Sequence, residues 1–474
     1  MRITKRLFIV LGLCPLSAWA AEGANHADPV ASVILAITAI LFFAMIGRYI
    51  ARRFNQPGVL GELLMGVLVG NLCYLCGFQL MFILREGASI FDVMKELLLG
   101  TSLKDAVTST VPNPYYAQQV IQALSSPEGT EYLKIAYIVD IFSRYGVIFL
   151  LFMVGLESSF EEIKQTGRES ILVAIIGIIA PMVLGFAVAC FLIPEANYQT
   201  DLFIAATLSA TSIGITARVL SEMNKLRTRE ARTILGAAML DDILGLILLA
   251  VVSSVVISGT VELLVIVRII IYSILFFIGA LLLGPPLVRR AVRFFRFLQP
   301  WESKLFISFL FVMVLSWLAA FVHLAAIIGA FAAGVILHEG YFDSPEPEKK
   351  ERRKIQHLVA PIESILAPIF FMVVGLQVKL ETFYNVNVLI LATGLVIAAI
   401  IGKLVSGLGA NSNDDRLLVG IGMLPRGEVG LVFASIGRTL GVISDDLFSA
   451  IVMMVVITTF IAPPLLKARY ARVK

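Results

Sequence analysis

Apolar runs of roughly twenty residues, separated by short polar loops, recur from one end of this chain to the other. A run of that length crosses the ~30 Å hydrocarbon layer of a bilayer when it is helical. Of the 474 residues, 58% are hydrophobic and only 15% are charged. A soluble chain of this size carries more charge and breaks its apolar runs more often. The expected fold class is an all-α polytopic membrane protein. The net charge of +4 is no sign of a nucleic-acid partner, because the basic residues cluster in loops between the runs; lipid is the expected surrounding.

The apolar pattern predicts about thirteen transmembrane helices, at 30–50, 58–77, 135–156, 171–193, 200–221, 232–257, 262–284, 304–321, 324–339, 358–378, 388–409, 415–440 and 446–466. Lysine and arginine follow every second span: Arg48, Arg52 and Arg53 after the first, Lys164 and Arg168 after the third, Lys225 to Arg232 after the fifth. Arg289 to Arg296, "EKKERRK" and "KARYARVK" continue the series, whereas "PEANYQT", "SGTVE" and "GVISDD" on the other side hold none. By the positive-inside rule the N-terminus lies outside and the C-terminus in the cytoplasm, as in a multi-pass protein of a bacterial inner membrane. Residues 1–20 read as a signal peptide, with "MRITKR", the apolar "LFIVLGL", and Ala18 and Ala20 before a cleavage point. Residues 78–134 form an outer insertion, partly amphipathic, expected as short surface helices. No cytoplasmic nucleotide-binding domain is expected in the few residues after the last span. Cys73 and Cys76 make a CxxC and read as small packing residues.

The unusual residues are charges inside the runs. In "GAAMLDDILGLILLAVV", Asp241 and Asp242 lie side by side about ten residues into a span, ~15 Å deep. An ionisable group at the bilayer centre costs roughly 2.5–3.5 kcal/mol on insertion scales, so such groups are paired, protonated or functional. Neighbours on a helix point about 100° apart, and the two carboxylates divide their roles: one faces a partner helix, the other a cavity. Lys403, inside "IAAIIGKLVSGLGA", is the available ion-pair partner. The span "LLVGIGMLPRGEVGLVFASIG" carries Arg426 and Glu428 beside Pro425, Gly427 and Gly430. The span "LFIAATLSATSIGITARVL" carries Thr207, Ser209, Thr211, Ser212 and Thr216 with Gly214. Two interrupted helices of this kind expose backbone carbonyls and helix ends at a midplane ion site, and their opposite directions fit an inverted repeat.

"LDDILGL", "SATSIGITARVL", "LPRGEVGLVFA", "LAPIFFMVVGLQV" and "QPGVLGELLMGVLVG", taken in order, resemble the monovalent cation/proton antiporter superfamily. The paired aspartates place the resemblance in its electrogenic two-aspartate branch, the NhaA- and NapA-like Na+/H+ antiporters, and it covers about residues 30–467. It implies an NhaA-like fold of inverted repeats with two crossing broken helices, assembled as a homodimer. Dimerisation-domain helices would occupy 30–156, apart from the insertion, and 304–378; core-domain helices would occupy 171–257 and 388–466, with 262–284 as a linker helix. Asp242 would bind the cation and carry the proton, making it the metal-ion ligand; Asp241 would pair with Lys403; Thr211 and Ser212 would supply oxygens; Arg426 and Glu428 match polar core positions.

Sequence and resemblance converge on one chemistry. Burial disfavours a charged carboxylate, so an unpaired buried aspartate takes up either a proton or a cation. That competition is exchange in its simplest form, for Na+, Li+ or another monovalent cation. Two other readings stand beside it: a K+/H+ antiporter or potassium efflux transporter, and a non-transporting sensor on a transporter fold. The sequence has no metal-ligand cluster, nucleophile motif or phosphate loop, and His323, His338 and His357 sit scattered at span ends. Neither an enzyme nor a cofactor is expected.

Overall fold

The computed structural model describes residues 30–472 apart from 55, 88, 112, 158–166, 195, 213–215, 218, 221–222, 224, 226–227, 259–262, 296, 323 and 343–353. The leader 1–20 lies outside the described residues, as does most of the basic loop "EKKERRK". Ten described helices are long and apolar enough to cross a membrane. They fall in α1 (Ala31–Arg53), α2 (Gly58–Leu75), α7 (Gly129–Glu157), α8 (Arg168–Leu192), α10 (Arg229–Ser258), α11 (Leu263–Phe294), α12 (Pro300–Phe321), α14 (Ile355–Leu376), α15 (Val386–Ser406) and α18 (Asp445–Arg472). The other three expected spans differ in form. Residues 324–339 yield only the eleven-residue α13 (Ala326–Ile336). Residues 200–221 and 415–440 are each interrupted, giving α9 (Tyr198–Thr207), and α16 (Arg416–Gly422) with α17 (Glu428–Thr439).

Three expected boundaries need correction. The third span, set at 135–156, begins at Gly129, the linker, set at 262–284, runs to Phe294, and the last span, set at 446–466, runs on through Lys467 and Arg469 to Arg472. In each case the helix continues past the apolar stretch with charged residues: Glu131 and Lys134 at the start of the third span, Arg289, Arg290 and Arg293 at the end of the linker, Lys467 and Arg469 at the end of the last span. Hydropathy marks where lipid stops, and backbone hydrogen bonding continues until a cap or breaker. The insertion is correspondingly shorter and holds four short helices, α3 (Gln79–Leu84), α4 (Ser89–Leu98), α5 (Leu103–Thr110) and α6 (Pro114–Leu124). Ser102 caps α5 at the Asp105 amide, and Asn113 caps α6 at the Tyr115 amide with Pro114 at its first position.

The helices pack as two groups joined along a common apolar core. In the first, α7 packs on α13 and α14, α2 on α1 and α14, and α12 on α13. In the second, α8 packs on α9, α10 and α15, and α18 on α15, α16 and α17. The helix α11 touches α10 of one group and α12 and α13 of the other. Glycine makes the closest contacts. A Cβ on Gly334 of α13 would lie 2.3 Å from the Phe152 carbonyl of α7, and one on Gly375 of α14 would lie 2.3 Å from the Leu63 carbonyl of α2. Lipid supplies no hydrophobic drive between helices, so such small-residue seams hold them by close van der Waals contact.

Candidate functional site

The site is built where the two interrupted spans meet. After α9 ends at Thr207 the chain runs non-helically through Ser212 and is helical again at Thr216; after α16 it runs non-helically from Leu424 to Gly427 before α17 starts at Glu428. Neither stretch can satisfy its own backbone, and each is completed by the other. The Ser212 amide donates to the Pro425 carbonyl (2.8 Å), the Thr216 hydroxyl to the Gly422 carbonyl (2.7 Å), and Arg426 Nη1 to the Ala210 carbonyl (2.9 Å). Thr459 of α18 donates to the Arg426 carbonyl. Irregular backbone at membrane depth is tolerated where protein satisfies it in this way. The C-terminal ends of α9 and α16 and the N-terminal end of α17 converge here, bringing partial charges of both signs together. The fully buried Arg426 offsets the negative ends.

The carboxylates lie within α10, which packs against α8, α9, α16 and α17. Asp241 is 1% exposed and Asp242 3%. The Lys403 ammonium, 0% exposed, stands 3.1 Å from Asp241 Oδ2. Asp242 and Arg426 lie close enough to act on that ammonium electrostatically. Lys403 therefore does not reach the membrane surface; its side chain is spent inside the protein. The docking of α15 on α8 puts it there: a Cβ on Gly402 would lie 2.6 Å from Pro181 Cα, and a Cβ on Gly177 would lie 3.5 Å from Lys403 Nζ. Gly177 of α8 thus lies alongside the ammonium, and Pro181 of the same helix packs on Gly402.

Of the residues singled out in the sequence, Asp241, Lys403 and Arg426 come together with Asp242, and Ser212 sits at the crossing through its backbone. Thr211 is 2% exposed, and its hydroxyl, like Asp241 Oδ1, is buried without a hydrogen-bond partner among the described residues. Buried oxygens left in that condition can serve a cation that takes oxygen ligands. Glu428 is the first residue of α17, where an acidic residue suits the positive helix end; its side chain and Gly214 lie outside the described residues. Gly177 was not legible as part of the site, since a glycine carries no chemistry to flag it. Away from the crossing, Cys73 is buried while Cys76 is exposed, so the packing role expected of both holds for one. His338 is exposed and accepts a hydrogen bond from the Gly340 amide.

Residues 38–468 match a family described as sodium/hydrogen exchanger, transmembrane. The chain is 36% identical over 472 residues to the high-affinity Na+/H+ antiporter NhaS3 of Synechocystis sp., a match covering 98% of this chain and 95% of that one. It is 32% identical over 378 residues to the Na+/H+-K+ antiporter GerN of Bacillus cereus, covering 78% of this chain and 94% of the relative. The fold is similar to the solved structure of the sodium proton antiporter MjNhaP1 of Methanocaldococcus jannaschii, with a TM-score of 0.55 at 15% identity, over 94% of this chain and 98% of that one.

Proposed function

The chain belongs to the sodium/hydrogen exchanger family, and from that premise we propose that it is a secondary active transporter exchanging a monovalent cation, Na+ or Li+, for protons. The observation that carries the reading is the division of labour at the crossing: two adjacent buried carboxylates, with Asp241 held by Lys403 at 3.1 Å. Asp242 is the exchange site. Its carboxylate accepts a proton from one side of the membrane and surrenders it when a cation arrives from the other, with Thr211 and the Ser212 region adding oxygens. The pairing of Asp241 with Lys403 supports membership of the electrogenic two-aspartate branch, in which the cation displaces a second proton from Lys403.

In this reading the first helix group is the dimerisation scaffold of a homodimer and the second is the moving core, linked by α11. The two interrupted spans and the short α13 complete thirteen crossings arranged as an inverted repeat. The N-terminus, which carries the signal-like leader, lies outside the bacterial inner membrane and the C-terminus inside. The contacts of the basic helix ends support one common basic face: Arg229 pairs with Asp414, Arg469 with Asp415, and Lys304 with Glu339. K+ is the second cation to try, because GerN is named for K+ as well as Na+.

The test is dequenching of an imposed proton gradient in proteoliposomes, with Na+, Li+ and K+ added in turn. Wild-type protein is expected to respond to at least one of them. Asp242→Asn, folded and reconstituted to the same level, is expected to give no response. Dequenching by that variant at the wild-type rate refutes the assignment of the exchange site.

A further inference from the structure

A second buried charge cluster lies away from the exchange site, where the segment between α2 and α7 meets the start of α18. Lys379, just beyond α14, is fully buried; its ammonium lies 2.7 Å from Glu86 Oε1 and 2.5 Å from Asp445 Oδ2. The ring of Tyr116 covers it at 3.4 Å from the ring centre. Arg438, near the end of α17, donates to Asp445 Oδ1 (2.7 Å), to the Arg85 carbonyl (2.7 Å) and to Gln377 Oε1 (3.0 Å).

These bonds cross the boundary between the two helix groups. Glu86, Arg85 and Tyr116 belong to the insertion, whose short helices pack on α2, α7 and α14 of the first group. Asp445 and Arg438 belong to the second group, and the Ser449 hydroxyl of α18 accepts from the Lys379 amide (3.1 Å). Taking these charges out of water is costly before pairing offsets it. A permanent seam is made more stably by apolar side chains. A seam of ions differs in one respect: water replaces each lost partner when the two sides part, so the seam closes specifically and still releases.

We propose that the Glu86–Lys379–Asp445–Arg438 cluster is the outer latch of the transport cycle, holding the outer ends of the two groups together until the crossing opens to the outside. This rests on the exchange reading, in which the second group moves against the first. The insertion then has a role of its own, carrying Glu86 to the latch and roofing Lys379 with Tyr116.

The experiment replaces Cys14, Cys73, Cys76 and Cys190 by serine in the full chain and adds Glu86→Cys with Asp445→Cys. The pair is bridged with a reducible bis-methanethiosulfonate linker in proteoliposomes. Exchange is expected to stop on bridging and to return when dithiothreitol cuts the linker, with neither single-cysteine control affected. Exchange by the bridged protein at the unbridged rate overturns the latch and leaves the cluster as a fixed pivot. A failure of the exchange reading shows separately, as absence of exchange in wild-type protein. A readout independent of transport is hydrogen–deuterium exchange across 438–446, expected to be faster in Lys379→Gln than in wild type. Should Lys379→Gln not fold, Asp445→Asn, whose side chain is already 21% exposed, serves in the same measurement. Unchanged protection in the folded variant overturns the proposal.

Discussion

At the residue scale the central fact is that Asp241 and Lys403 are both sealed from water and hold one another at 3.1 Å. Removing one member of a buried pair leaves the other charge uncompensated, at a cost of roughly 3–5 kcal/mol, whereas removing both relieves the penalty. Asp241→Asn and Lys403→Ala are each expected to melt well below wild type in detergent. The double variant is expected to melt above the lower of the two singles. Additive losses in that thermal double-mutant cycle would mean that the pair is no energetic unit. Both residues were legible because a charge inside an apolar run stands out without any structure. The backbone contacts that make the crossing were not. The Ser212 amide and the Pro425 and Ala210 carbonyls are backbone groups of a kind found all along the chain, and no side chain advertises which of them will pair. The latch was hidden for another reason: Glu86 and Lys379 are 293 residues apart, and each reads alone as an ordinary charge, one in the insertion and one at the edge of a span.

At the element scale the interrupted helices depend on their ends. Asp415 caps α16 by accepting from the Leu418 amide (3.0 Å) and is held by Arg469 of α18 at 2.7 Å. Burial pushes its carboxyl up, but Arg469 and the amides at Leu418 and Leu417 outweigh burial and hold it below the ordinary carboxylate value. A carboxyl lowered in the folded state contributes stability above its unfolded pKa of about 3.9 and loses it as the pH falls through the lower folded value. Asp415→Asn keeps the cap and loses the ion pair, an expected deficit of roughly 0.2–1 kcal/mol near neutral pH. Its melting point should converge on wild type as the pH falls below that carboxylate range. Asp415→Ala loses the cap as well, about 1 kcal/mol more, and part of that loss remains in acid. A deficit in Asp415→Asn that does not change with pH would rule out the ion pair as its source. Helix contact supplies the second expectation at this scale. The near neighbours of a Cβ on Gly334 are backbone of α7: the Phe152 carbonyl at 2.3 Å, the Leu156 amide at 2.7 Å and Gly155 C at 2.8 Å. Backbone cannot swing aside as a side chain can, so Gly334→Ala must push the helices apart, at roughly 1–3 kcal/mol by the usual cost of overpacking. A lowered melting temperature checks this; an unchanged one would show slack between α7 and α13. The apolar runs were plain in the sequence and these seams were not, because a glycine at a helix contact looks the same as a glycine facing lipid until the neighbouring backbone is in place.

At the scale of the whole molecule, charge per cycle is what distinguishes the proposed mechanism. If only Asp242 titrates, a cation leaves as a proton enters and no net charge crosses. If Lys403 also gives up its proton when the cation arrives, one extra charge crosses in each cycle. Moving one charge through 100 mV is worth ~2.3 kcal/mol, which corresponds to roughly a 50-fold difference in the cation gradient the exchanger can sustain. Proteoliposomes clamped at zero and at negative interior potential therefore separate the two cases. Wild type is expected to build a steeper cation gradient under the negative potential. Lys403→Ala, with one titrating site fewer, is expected to exchange at a rate indifferent to potential if it still folds. A voltage response that survives the loss of Lys403 would take the second proton away from the Asp241–Lys403 pair and require another carrier among the buried groups. The position of that pair makes the expectation specific. It lies inside the second helix group, on α10 and α15, beside the crossing and away from the latch. Voltage coupling and opening are then separate properties of one molecule: removing Lys403 changes the charge moved per cycle, and bridging Glu86 to Asp445 changes whether the cycle turns.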